Sequence, residues 1–179
     1  MRLGVARAIS EGVIVEGDVE IDGGTVSAFG ISPAGPGGIA VPGFVDLQVN
    51  GFAGVDFTTA TAEDYSTAGA AMLATGVVAY QPTLITLPTP DTTAALRTLA
   101  EIPPDATGPR IIGMHLEGPF LSPIRAGAHD PVYMIDPDSE AVEGMLAAAV
   151  QIQRLQSRQP FTGPVVAESG RPVAVGRRR

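Results

Sequence analysis

The chain has no cysteine and no tryptophan, and its 11 basic residues are all arginine, with no lysine among 179 residues. Without cysteine there is no disulfide framework, no thiolate nucleophile and no thiolate metal ligand. The lack of lysine beside 11 arginines, with abundant alanine, glycine and proline, suggests a GC-rich coding bias rather than a mechanism. Only two histidines occur, His115 and His129, so imidazole chemistry is confined to one stretch of the sequence. No long apolar run follows the N-terminus, where Met1 to Arg7 leads into acidic residues from Glu11. This reading predicts neither a signal peptide nor a membrane span, and a cytoplasmic location.

Charge is unevenly spread. Residues 1–150 hold 18 acidic residues and 5 arginines, whereas residues 151–179 hold 6 arginines and a single acid, Glu168. An acidic body does not suit nucleic acid, and the basic end lacks interleaved aromatics, so no nucleic-acid partner and no membrane partner are expected. The end reads as a solvated basic tail, foreign to what precedes it.

Residues 1–40 read as short strands with tight turns: Gly12–Val15 and Asp18–Ile21 alternate, and Asp22-Gly-Gly24 signals a hairpin into Thr25–Phe29. A Pro/Gly-rich linker covers Ser32–Gly38. From residue 39 the pattern becomes strand–helix alternation. Ile39–Val49 reads as one apolar strand, followed by a helix over Ala62–Thr75 with a Thr61/Asp64 capping box. Val77–Tyr80 is a second strand stopped by Pro82, and Pro90–Ala100 is a second helix. Ile111–Glu117 is the third strand. A third helix, capped by Asp136, sets Val142, Met145 and Leu146 on one face and fades by about Ala148. Three βα units in succession imply an α/β fold with a parallel sheet, either part of a barrel or an open sheet. No glycine-rich phosphate fingerprint follows the first strand.

The chemistry concentrates at His115-Leu-Glu-Gly-Pro-Phe120 and Gly127-Ala-His-Asp-Pro131. Strand alternation puts Met114 and Leu116 on one face and His115 and Glu117 on the other. Glu117, at the carboxyl end of its strand, can bind a divalent cation through one oxygen, or else serve as a capping or salt-bridged rim residue. His115, one layer deeper, reads as a hydrogen-bonded core residue. His129 and the Ala128 backbone sit in a loop that can meet a polar substrate, or be ordinary surface. Gln48 and Asn50 share a face at the end of the first strand; carboxamides suit zinc-like ions poorly, which argues for one metal rather than two, or for simple strand-end capping.

Four segments together, Pro42–Gly51, Gln81–Thr86, His115–Phe120 and Gly127–Pro131, resemble N-acetylglucosamine-6-phosphate deacetylases of the amidohydrolase superfamily. The resemblance covers residues 1 to about 148. It implies a partial TIM-like (β/α)₈ barrel, with its first three βα units at residues 41–148. A small β-sandwich built from both chain termini precedes it, its N-terminal part at residues 1–40; the resemblance does not extend to residues 149–179, which are read from composition as a non-homologous, disordered basic tail. The resemblance implies hydrolysis of an amino-sugar phosphate acetamide to acetate and the free amine. One divalent, zinc-like cation would serve the full-length family, which is expected to be homo-oligomeric. Glu117 aligns with the family's metal-binding Glu, Ala128 and His129 with its substrate-contacting pair, and Gln48 and Asn50 with the single-metal branch. The family's two further histidine ligands and its acid/base Asp have no counterpart here, so no catalytic residue is assigned and the chain is expected to be inactive and not to retain the cation. The alternative is a non-catalytic half-barrel that docks on another chain. A cyclic-amide hydrolase is disfavoured by the missing His-x-His on the first strand.

Overall fold

The computed structural model describes residues 1–102, 108–156, 162–167 and 172–176, with side chains to residue 147. Thirteen strands and three α-helices are present among these residues. In chain order they are β1 (Val5–Ser10), β2 (Val13–Glu16), β3 (Asp18–Asp22), β4 (Thr25–Ile31), β5 (Gly37–Val41), β6 (Phe44–Val49), β7 (Gly51–Phe52), β8 (Val55–Asp56), α1 (Ala62–Ala74), β9 (Val77–Ile85), α2 (Thr89–Glu101), β10 (Arg110–Ile111), β11 (His115–Glu117), α3 (Ser139–Gln156), β12 (Thr162–Ala167) and β13 (Pro172–Gly176). The fold is mixed α/β.

The N-terminal strands build an all-β region. The hairpin expected at Asp22-Gly-Gly24 forms: Asp22 pairs with Thr25, and Gly23 and Gly24 take φ of 55° and 76°, values open to glycine in a two-residue turn. Residues Val5, Ala8 and Ala40 from β1 and β5 pack with Val19 and Ile21 from β3 in a small apolar core. Asp18 ties the layers together. Its buried carboxylate accepts from the backbone N–H groups of Gly4, Val5 and Val19 at 2.8–3.0 Å, and Arg2 Nε lies 3.0 Å from the other oxygen.

Three features depart from the sequence reading. The run Ile39–Val49 is two strands, because Pro42 has no N–H to offer a ladder and the chain turns at Pro42-Gly43. β5 therefore pairs with β1 in the first sheet, and β6 pairs with β9 in a second. β9 does not stop at Pro82; it continues to Ile85. The missing N–H is tolerated because the β6 ladder shifts register between Asp46 and Val49, opposite Pro82. Ile111–Glu117 is broken into β10 and β11, which both run parallel along the other side of β9.

The ending differs as well. Helix α3 runs through Gln156, and Asp138, not Asp136, accepts the Ala141 N–H near its start. Met145 is buried on α3 as expected, whereas Leu146 is 56% exposed. In place of a disordered tail, β12 and β13 pair antiparallel, and β12 continues the first sheet beside β5 through Val166↔Val41. Average polarity conceals the short apolar run Val165-Val-Ala167, in which Val165 and Val166 pair with Val173 and Pro172 of β13, enough for a two-stranded extension of an existing edge. The remaining residues of 149–179 lie outside the described set.

The parallel sheet of β6, β9 and β10/β11 carries the main core. α1 buries Tyr65, Ala68, Gly69 and Met72, and α2 buries Thr92, Leu96, Leu99 and Ala100, each set at helical spacing. The capping box holds, with Thr61 Oγ1 accepting from the Asp64 N–H and Asp64 accepting from the Thr61 N–H. The Phe57 and Tyr65 rings stack 4.8 Å apart. Burial pushes the Tyr65 and Tyr80 hydroxyl pKa values upward, so both stay neutral. No helix among the described residues is long and apolar enough to cross a membrane.

Candidate functional site

The parallel strands β6, β9 and β11 end on the same side of their sheet, and polar side chains collect there. β6 leads into Asn50, β9 into Thr86, and β11 finishes at Glu117, which pairs in register with Ile85. Carboxyl ends of parallel strands are where such sheets place ligand groups, because the loops that follow diverge and leave a crevice.

The alternation expected along the third strand is present. Met114 and Leu116 pack on the main core, while His115 and Glu117 face the opposite way. Glu117 is the centre of a ring of nitrogen atoms. Gln48 Nε2 and Asn50 Nδ2 lie 3.4 and 3.5 Å from its Oε2, and His129 Nε2 lies 3.6 Å from its Oε1. Its side chain stays 36% exposed, against 8% for His129. The fold thus brings together four residues, Gln48, Asn50, Glu117 and His129, from three separate segments.

His115 Nδ1 lies 3.3 Å from Thr83 Oγ1, one layer below, and His115 makes no contact of this kind with Glu117. Ala128 is exposed beside His129, on a turn where Gly127 has φ of 61° and the His129 N–H donates to the Ala126 carbonyl at 3.1 Å.

Two residues given no role in the sequence complete the arrangement: Thr83 and Thr86, both nearly inaccessible. Thr86 contacts His129 Nδ1 through its backbone N–H at 3.1 Å and its hydroxyl at 2.9 Å. The signal was a pair of hydroxyl side chains closing the apolar run of β9 within Gln81-Pro-Thr-Leu-Ile-Thr86, where nothing local demands polarity.

Among the described residues, no three His, Asp or Glu side chains are grouped so as to hold a metal ion. Around Glu117 the neighbours point nitrogen, not oxygen, at the carboxylate.

No family model matches the chain. N-acetylglucosamine-6-phosphate deacetylase of Mus musculus is 40% identical over 117 residues, 62% of this chain and 28% of that protein. The Homo sapiens protein of the same name is 38% identical over 119 residues, with the same shares. The crystal structure of N-acetyl-D-glucosamine-6-phosphate deacetylase from Mycobacterium smegmatis superposes with a TM-score of 0.71 at 31% identity, over 84% of this chain and 44% of that one. This chain is similar to the N-acetylglucosamine-6-phosphate deacetylases. The resemblance drawn from its motifs is thereby borne out, and its structural neighbours are deacetylases of amidohydrolase fold. The chain spans about 28% of the length of these curated deacetylases. An N-acetylgalactosamine-6-phosphate deacetylase of Escherichia coli O157:H7 is also similar, at 27% identity over 120 residues.

Proposed function

We propose that residues 41–148 are the first three βα units of an amidohydrolase barrel and that residues 1–40 are part of its β-sandwich. In this reading the chain carries one side of a site for an N-acetylated amino-sugar phosphate. The observation that supports it most strongly is the convergence of Gln48, Asn50, Glu117 and His129 at the carboxyl ends of three parallel strands. The deacetylase relatives supply the reaction class, hydrolysis of an acetamide to acetate and the free amine.

Within that reading, Glu117 is the carboxylate that would face a divalent cation, and Ala128 and His129 are the substrate-facing pair. The residues present do not fit a complete cation site. A catalytic zinc-like ion takes about three protein ligands, and Glu117 is a single carboxylate flanked by carboxamide nitrogens. No step is therefore derived through a metal. What these side chains can do is bind and orient: His129 is held almost out of solvent, and Gln48 and Asn50 satisfy the carboxylate. Acid/base chemistry is assigned to no residue.

The test is to add N-acetylglucosamine 6-phosphate or its galactosamine epimer, with and without zinc, to the purified chain. The outcome expected is binding without acetate release and no stoichiometric zinc. Turnover with one equivalent of metal would overturn the non-catalytic part of the reading, and failure to bind either sugar phosphate would overturn the substrate assignment.

A second reading rests on β6. Phe44, Val45 and Leu47 are each more than half exposed, and the outer edge of β6 has no strand partner among the described residues. An apolar edge of this kind is a template for strand addition. The chain would then act as a non-catalytic docking partner for another polypeptide. Protection of the Phe44–Val49 amides from hydrogen exchange by a co-purifying chain supports it; a monomer whose β6 amides exchange freely counts against it.

A further inference from the structure

Thr86 touches His129 through Nδ1, whereas the other ring nitrogen, Nε2, is the one near Glu117. Thr86 is 4% exposed, sits immediately after β9, and spends both its polar groups on its neighbours. Its backbone N–H points at His129 Nδ1 at an N···N distance of 3.1 Å. Its hydroxyl lies 2.9 Å from the same nitrogen and 3.3 Å from the Glu117 carbonyl oxygen.

A backbone N–H can only donate, so the nitrogen facing it must present a lone pair. In a neutral imidazole one ring nitrogen carries the proton and the other accepts. Nδ1 is therefore the acceptor and Nε2 carries the hydrogen. With Nδ1 as acceptor, the Thr86 hydroxyl 2.9 Å away must turn its hydrogen to Nδ1 rather than to the more distant Glu117 carbonyl, so both polar groups of Thr86 donate to the same nitrogen. Nε2 is also the nitrogen 3.6 Å from Glu117 Oε1, on the side where Gln48 and Asn50 point their amide nitrogens. An Nε2 that bears a proton has no free lone pair for a cation and cannot accept a proton as a base.

We propose that Thr86 is a positioning residue whose backbone amide locks His129 as the neutral Nε2–H tautomer. This makes the imidazole a hydrogen-bond donor toward the Glu117 face, and neither a metal ligand nor a general base. A ligand atom that it meets is then an acceptor: a hydroxyl, carbonyl or phosphate oxygen. This rests on the substrate-facing role proposed above for His129, but the tautomer itself can be measured with no ligand present.

The experiment uses the full chain labelled with ¹⁵N. With only two histidines, the imidazole nitrogens of His115 and His129 are assigned by long-range proton–nitrogen correlation and by comparison with His115→Gln. Expected for His129 are an unprotonated Nδ1, a protonated Nε2, and a scalar coupling across the hydrogen bond between the Thr86 amide nitrogen and Nδ1. The unfolded chain in urea should show tautomer-averaged shifts and no such coupling. Thr86→Val keeps the amide and should keep both signatures. A protonated Nδ1, or loss of the coupling in the folded wild-type chain, would overturn the assignment. If the tautomer holds but N-acetylglucosamine 6-phosphate leaves the Nε2–H resonance unmoved, the positioning role stands and the substrate assignment fails.

Discussion

Gly118 and Thr86 meet so closely that a Cβ at position 118 would overlap the Thr86 hydroxyl. Gly118 also has φ of +113°, a conformation that side chains on an L-residue rarely adopt. Glycine here serves two ends at once: it lets the chain turn after Glu117, and it leaves room for the threonine that holds His129.

Gly118→Ala should therefore cost about 2 kcal/mol or more, since backbone strain and overlap with a buried neighbour act together. Denaturant unfolding would measure it. The coupling between Thr86 and His129 should weaken or vanish in the same variant.

Thr61→Ala removes the hydroxyl that accepts the Asp64 N–H at the start of α1. Loss of such a cap costs about 1 kcal/mol. A lower urea midpoint with an unchanged slope would show a stability loss rather than a changed unfolded state.

Asp18 should give the N-terminal β region an acid-sensitive component. Desolvation raises its pKa, but the N–H groups of Val19 and Val5, the Arg2 charge and the N–H of Gly4 together outweigh this, and the net direction is below 3.8. A depressed carboxyl pKa contributes stability that is present above the unfolded value and lost as pH falls through the folded one. Asp18→Asn should thus be the less stable protein at neutral pH. The gap should shrink as the pH is taken below 3.8, where the wild-type carboxylate takes up its proton. A gap that stays constant from neutral pH down to pH 2 would contradict this.

Leu96 and Leu146 provide a matched pair. Leu96 is 0% exposed in the main core, and Leu96→Ala should cost about 2–5 kcal/mol. Leu146, 56% exposed, should change stability by no more than about 0.5 kcal/mol when truncated. Equal effects from the two would mean that α3 turns a different face to the core.

What the sequence determined by itself is what depends on neighbours in the chain. The Thr61/Asp64 box, the Gly23-Gly24 turn, the helical spacing of Tyr65 and Met72, and the alternation that separates Glu117 from Leu116 all follow from local periodicity and local hydrogen bonds. The resemblance carried by four short motifs also named Gln48, Asn50, Glu117 and His129 before any of them could be seen to meet. The tertiary structure decided which strand each apolar run joins. Pro42 splits one run between two sheets, Pro82 is absorbed where the β6 ladder slips, and β12 adds to an edge formed some 120 residues earlier. Pairing of this sort depends on groups remote in sequence, so no local pattern encodes it. The same holds for Thr86: a threonine at a strand end is unremarkable until the backbone brings its amide against an imidazole 43 residues away.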